Sequence, residues 1–226
     1  MKKIPNPFNW YPRDFWYWPD EDEKLLQVID WVHDLDQVLP LIPQKRVCIQ
    51  AGGACGVWPA YLSKFFEIIY TIEPSLENLE CLIKNVKFCD CSKYPDCPHE
   101  QLGQIEYFNS ALGEKEGRGQ LKLDNSELGN SGAYYLGVGE TVDIDYIDFH
   151  GFENVDFICL DIEGFEEKAL RGAAETIERC NPVIMIEEKP LPHLAEGEHL
   201  KARQFLESIG YQEVLKIHRD VVFKRG

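Results

Sequence analysis

Three carboxylates stand where apolar runs end: Asp161 and Glu163 follow Val155 to Leu160, and Glu187 closes Val183 to Ile186. Carboxylates gathered at strand ends can take a proton from a reacting hydroxyl, or hold a divalent metal through oxygen ligands. Glu163, Glu166 and Glu167 equally suit the first turn of the helix that follows, where the macrodipole favours acids. Upstream, Gln50-Ala51-Gly52-Gly53-Ala54-Cys55-Gly56 joins a strand to a helix, and its three glycines let backbone turn tightly and approach a nucleotide. Glu73 ends the next strand, in Thr71-Ile72-Glu73-Pro74, where an acid can accept from both ribose hydroxyls or serve as a helix N-terminal acid. Cys89, Cys91, Cys97 and His99 offer four zinc ligands within eleven residues of a polar insert over 88–100, with unliganded thiols as the alternative.

These groups must be carried by an alternation of strands and helices. Strands are expected at Arg46 to Gln50, Ile68 to Ile72, Ile105 to Phe108, Val155 to Leu160 and Val183 to Ile186. Helices are expected at Val57 to Glu67, Ser75 to Val86, Phe165 to Arg179 and Glu196 to Ser208. Tyr211 to Ile217 and Val221 to Phe223 flank a His218-Arg219-Asp220 turn and read as an antiparallel closing hairpin. The whole is a doubly wound, Rossmann-like α/β fold, a mostly parallel sheet with helices on both faces. Ligands of such sheets bind beyond the carboxyl ends of the strands, where the candidate acids fall. Gly113 to Gly139, polar and glycine-rich, reads as strands or loops, and Asn130, Ser131 and Gly132 within it could approach an acceptor. Glu188, Lys189 and His193 lie in a proline-rich loop on the same edge.

Residues 1–45 divide from the rest as an aromatic arm followed by an amphipathic helix, leaving 46–226 as the main domain. Phe8, Trp10, Tyr11, Phe15, Trp16, Tyr17 and Trp18 are too many aromatics for a disordered tail; a strap over the core is the simplest reading, with an oligomer contact or a stacking platform for a sugar or aromatic acceptor as the alternatives. Leu25, Val28, Ile29, Val32, Leu35 and Leu39 recur at helical spacing up to Pro40.

Composition narrows the function. The 226 residues carry 23 Lys plus Arg against 39 Asp plus Glu, a net charge of −16 that repels phosphate backbones and anionic lipid. Nucleic acid and membrane are therefore not expected partners. No apolar run approaches the roughly 20 residues that cross a bilayer, so a cytoplasmic protein is expected. Cys48, Cys55, Cys159 and Cys180 sit in apolar segments and read as reduced core residues.

The glycine loop fits two cofactors. As a dinucleotide fingerprint it presents Ala51, Gly53 and Gly56 without the first glycine, and as a methyltransferase loop it presents Gln50, Gly52, Ala54 and Gly56. Four segments, IQAGGACG, YTIEPSLENLECL, FNSALGEKEG and DFICLDIEGFEEKALRGAAETIERCNPVIMIE, together resemble the FkbM family of S-adenosylmethionine-dependent methyltransferases. That resemblance implies that Gln50, Gly52, Gly53 and Gly56 form the loop on the cofactor's methionine part. It makes Glu73 the ribose ligand, sets Asn109, Ser110 and Ala111 along the adenine edge, and turns Asp161 toward the sulfonium and the acceptor. It also implies O-methylation of a small-molecule or glycan hydroxyl. Gln50 stands where the family usually has aspartate, and Ala54 where it has asparagine. Two other readings stay open: a non-catalytic interaction module on this fold and a nicotinamide-dependent oxidoreductase.

Overall fold

A computed structural model describes residues 1–7, 15–19, 31–87, 102–123 and 134–226. Its central sheet has seven strands: β3 (Val47–Ala51), β4 (Ile68–Ile72), β5 (Gln104–Phe108), β9 (Val155–Leu160), β10 (Val183–Glu187), β11 (Tyr211–Ile217) and β12 (Asp220–Arg225). They lie in the order β11-β12-β10-β9-β3-β4-β5. Neighbours from β10 through β5 run parallel, and β12 runs antiparallel to both β10 and β11. The expected closing hairpin thus inserts its second strand beside β10 and leaves its first at the sheet edge.

The period-two pleat sends alternate residues into two cores. Cys48 on β3 and Phe157 and Cys159 on β9 enter one, and Ile49, Ala51, Ile158 and Leu160 enter the other. Both faces are covered, which is why β3, β9 and β10 are near-continuously apolar. Cys48, Cys55, Cys81 and Cys159 are buried, whereas Cys180, expected in the core, is half-buried.

Among the described residues six helices flank the sheet: α1 (Leu35–Val38), α2 (Val57–Leu62), α3 (Leu76–Lys87), α4 (Glu166–Arg171), α5 (Ala174–Cys180) and α6 (Lys201–Ser208). Ser75 caps α3, its Oγ accepting from Asn78 N at 3.4 Å. The single helix expected over Phe165 to Arg179 is in fact two. A Cβ on Gly172 would come 2.2 Å from the Gly113 carbonyl oxygen, and Gly172 O accepts instead from Asp148 N at 2.8 Å. Asp148 then caps α5, accepting from Glu175 N at 2.9 Å and Thr176 N at 2.8 Å. The helix expected to start at Glu196 begins as a 3₁₀ turn, with its α part at Lys201–Ser208. Of the leading helix only residues from 31 are described, as 3₁₀ turns on either side of α1.

The glycine-rich stretch is a second sheet, in the order β6-β8-β7, of β6 (Ala111–Leu112), β7 (Gly117–Leu123) and β8 (Tyr134–Asp145). At the amino terminus β1 (Lys2–Pro5) pairs antiparallel with β2 (Phe15–Trp18). Trp16 and Trp18 are buried in the core beside α2 and α3. Asn85 of α3 grips the arm, accepting from Tyr17 N at 2.7 Å and donating to Tyr17 O at 2.8 Å, with Cys55 O at 2.8 Å from the same amide nitrogen. The cysteine insert with Cys89, Cys91, Cys97 and His99, and the Asn130 to Gly132 segment, lie outside the described residues.

Candidate active site

A cavity of about 570 Å³ opens at the carboxyl ends of β3, β4, β9 and β10, the position expected for ligands of an open α/β sheet. The loop after β3 reaches it through Gly52, whose φ of +83° suits glycine and whose added Cβ would stand 1.9 Å from Asp161 O. Gly52 therefore lets the ends of β3 and β9 touch, while Ala51, Ala54 and Cys55 line the wall. Gly53 and Gly56 serve packing: added Cβ atoms would crowd Thr71 Oγ1 at 2.7 Å and Leu82 Cγ at 3.1 Å.

Gln50 is turned away. Its Oε1 accepts from Thr71 Oγ1 at 2.6 Å and its Nε2 donates to Gly52 O at 3.0 Å. Gln50 is fully buried and is not among the residues lining the cavity. A neutral amide suits this place, because it satisfies a donor and an acceptor at once where a carboxylate could only accept.

Glu73 lines the cavity with its carboxylate fixed by backbone: Oε2 accepts from Ala54 N and Oε1 from Ser75 N, each at 2.8 Å. Burial pushes its pKa up to about 7, against the lowering effect of those amide bonds. Ser110 and Ala111 also line this cavity, and Ser110 Oγ is buried with no hydrogen-bond partner among the described residues. Asn109 lies instead on an adjoining cavity of about 330 Å³, its Nδ2 donating to Glu73 O at 3.0 Å.

The three sequence-predicted acids converge. Carboxylate oxygens of Asp161, Glu163 and Glu187 lie within 4.8 Å of one another. Glu163 holds a left-handed φ of +51°, a costly conformation for a non-glycine residue. It is fixed on all sides. Glu166 accepts from Ile162 N at 3.0 Å and Gly164 N at 3.3 Å, and Lys189 Nζ sits 3.3 Å from Glu163 Oε2. His193 Nε2 lies 3.2 Å from Glu163 O while its ring stacks on Tyr135 at 3.8 Å. Burial, then the charges of Asp161 and Glu163, push Glu187 up to about 9, and desolvation by the surrounding cavity walls raises Asp161, whose surface stays open to the cavity, against the opposing pull of Lys189.

Several lining residues are not readable from the sequence. Trp18 comes from the arm, Trp31 and Asp34 from the turn before α1, and Asp220 from the start of β12, in register with Glu187. Burial, then Asp161 and Asp34, raise Asp220 to about 7. The only local signal was a polar hairpin turn, which reads as solvated until the strand order is known.

The reversed strand among parallel ones, the glycine turn, the acid just after β4 and the cavity at the strand ends define a doubly wound α/β protein with a candidate ligand cavity at the carboxyl ends of its strands. The family model of the methyltransferase FkbM domain matches residues 52–213, and the chain belongs to that family. This takes the place of the nicotinamide reading. Among solved structures the chain is similar to the methyltransferase FkbM from Methylobacillus flagellatus KT, with 23% identity, a TM-score of 0.54 and coverage of 80% of this chain. The chain spans 43% of that protein's length. It is also similar to the precorrin 8W decarboxylase of Methanobacterium thermoautotrophicum, with 11% identity, a TM-score of 0.49 and coverage of 93% and 100% of the two chains. No curated protein matches the chain. No described helix is long and apolar enough to cross a membrane.

Proposed function

We propose that this protein transfers a methyl group from S-adenosylmethionine to a hydroxyl oxygen of a small-molecule or glycan acceptor. The observation that carries this reading is the convergence of Asp161, Glu163 and Glu187 in the same cavity as Gly52 and Glu73. The residues fit the cofactor: Glu73 lies in the cavity where ribose hydroxyls can be bound, Ser110 Oγ is a buried polar atom without a partner among the described residues, and the acidic lining suits a cation. When bound, the cofactor supplies an electrophilic methyl on a sulfonium.

The chain's own contribution is orientation and proton handling. In-line transfer requires the acceptor oxygen about 3 Å from the methyl, so holding it there supplies most of the acceleration. Glu187, with a pKa of about 9, keeps its proton at neutral pH and is able to donate a hydrogen bond to the acceptor. Asp161, next to the positive charge of Lys189, is the better base for the acceptor proton. Glu163 anchors Lys189. The three carboxylates also match an oxygen-ligand set for a divalent cation, but Lys189 already supplies positive charge there and the reading needs no metal step. The net charge of −16 supports a neutral acceptor over nucleic acid.

Calorimetric titration with S-adenosylmethionine, S-adenosylhomocysteine and NAD tests this. Saturable binding of the two sulfur nucleosides and none of NAD is expected. NAD binding alone overturns it, and no binding of any of them returns the fold to the interaction-module reading.

A further inference from the structure

The family match begins at residue 52 and ends at 213, yet the cavity wall continues on both sides of it. Trp18, Trp31 and Asp34 precede the matched segment, and His218, Arg219 and Asp220 follow it. The two outlying pieces meet at His218 Nε2, 3.7 Å from Asp34 Oδ2.

The carboxyl-terminal piece is firmly seated. Glu188 N donates to Arg219 O at 2.8 Å, and the Glu188 carboxylate accepts both branches of Arg203, at 2.8 and 3.0 Å. Asp220, opposite Glu187 on the antiparallel neighbour, brings a further carboxylate to the end of β10. On the other piece Trp31 leaves 52% of its surface exposed where it forms part of the cavity wall. An indole in that position offers a flat apolar face to a ligand at little ordering cost.

The charge of the lining narrows what such a ligand can be. Asp34 and Asp220 join Glu73, Asp161, Glu163 and Glu187, while Lys189 and Arg219 are the permanent cations of the wall among the described residues. An anionic acceptor is repelled, and hydroxyl groups find acceptors on several sides.

From this we infer that the two segments outside the family match form the acceptor-selecting wall, with Trp31 stacking on the apolar face of a neutral, hydroxyl-rich ring and Asp220 accepting one of its hydroxyls. The inference rests on the methyl-transfer reading and deepens it. The family-matched part supplies the donor loops and the converging acids, and the flanking pieces supply selectivity.

The test measures transfer of labelled methyl from S-adenosylmethionine to maltose, cellobiose, glucuronic acid and spermidine, with S-adenosylhomocysteine affinity recorded for every variant. Labelling of a neutral sugar is expected, with neither charged compound labelled. Trp31→Ala and Asp220→Asn should each raise the acceptor KM at least tenfold and leave S-adenosylhomocysteine affinity within twofold, and Trp31→Phe should restore most of the loss. Labelling confined to the charged compounds, or of none while S-adenosylhomocysteine binds, overturns the inference. So does an acceptor KM unmoved by both substitutions. Failure of the unaltered protein to bind S-adenosylhomocysteine counts against the methyl-transfer reading itself.

Discussion

β3 and β9 lie side by side, and their two ends treat charge in opposite ways. At the amino ends Arg46 forks onto Asp156, with Nη2 2.7 Å from Oδ1 and Nε 3.0 Å from Oδ2, while the Arg46 backbone N–H adds a third bond at 2.8 Å. Burial alone would raise the Asp156 pKa, but the hydrogen bonds and charge of Arg46 outweigh it and hold the group below its ordinary value. At the carboxyl ends Asp161, Glu163, Glu187 and Asp220 crowd one cavity with Lys189 beside them, and Asp161, Glu187 and Asp220 are raised. One end spends its charges on holding strands together, and the other keeps charges the fold would be more stable without. That is the pattern of a site whose chemistry opposes stability.

The sharpest way to break the contrast is Glu187→Gln. A raised carboxylate pKa means the folded state holds a proton that the unfolded chain releases, so stability falls as pH rises from about 4.3 toward about 9. The neutral amide removes that penalty. Melting curves at pH 8 should show a gain of roughly 0.5–2 kcal/mol, while turnover stays within about tenfold, because the amide still donates the hydrogen bond that protonated Glu187 supplies. Loss of both stability and turnover would make Glu187 a structural acid.

Asp161→Asn, which removes the base, should lower turnover about 100-fold or more and leave S-adenosylhomocysteine affinity nearly unchanged. Equal losses in both would put Asp161 in the donor shell. Glu73→Gln comes next, with about a tenfold loss of S-adenosylhomocysteine affinity by calorimetry, equivalent to about 1.4 kcal/mol. In the unaltered protein that affinity should rise as pH increases through about 7, since the ionised Glu73 is the form that accepts from hydroxyls. A flat profile would remove Glu73 from the ribose role.

The smallest effect belongs to the paired end. Asp156→Asn should lower the melting temperature by about 3 °C, with turnover intact, because Arg46 is partly open to water and its attraction is screened. A depressed carboxylate pKa stabilises above the unfolded value and loses its contribution as pH falls through the folded one. The difference between Asp156→Asn and the unaltered protein should therefore shrink below about pH 4.

Most of the central sheet was legible because burial on both faces writes β3, β9 and β10 as uninterrupted apolar runs. The acids just beyond them were legible for the same reason, since a charged residue ending such a run must reach the sheet's edge. What was not legible depends on distant partners. The break at Gly172 follows from the Gly113 backbone, and β8 is hidden because Gly137, Gly139 and its alternating polar residues face a small, half-exposed sheet. Gln50 looked like a ligand from its place in the loop, and only the hydroxyl of Thr71 on the adjacent strand explains its inward turn. Asp220 is far from Glu187 in sequence and became its neighbour through the insertion of β12.

Asn85 carries one more consequence. Its amide nitrogen holds Tyr17 O and Cys55 O together, so the amino-terminal strand and the glycine loop share a single point of attachment. Positions of the two are energetically coupled, and the coupling is reciprocal. A ligand that orders the loop must slow amide exchange in Phe15–Trp18, and trimming that strand away must make the ligand leave faster. The arm thereby becomes a reporter of occupancy at a cavity whose floor is built by other strands.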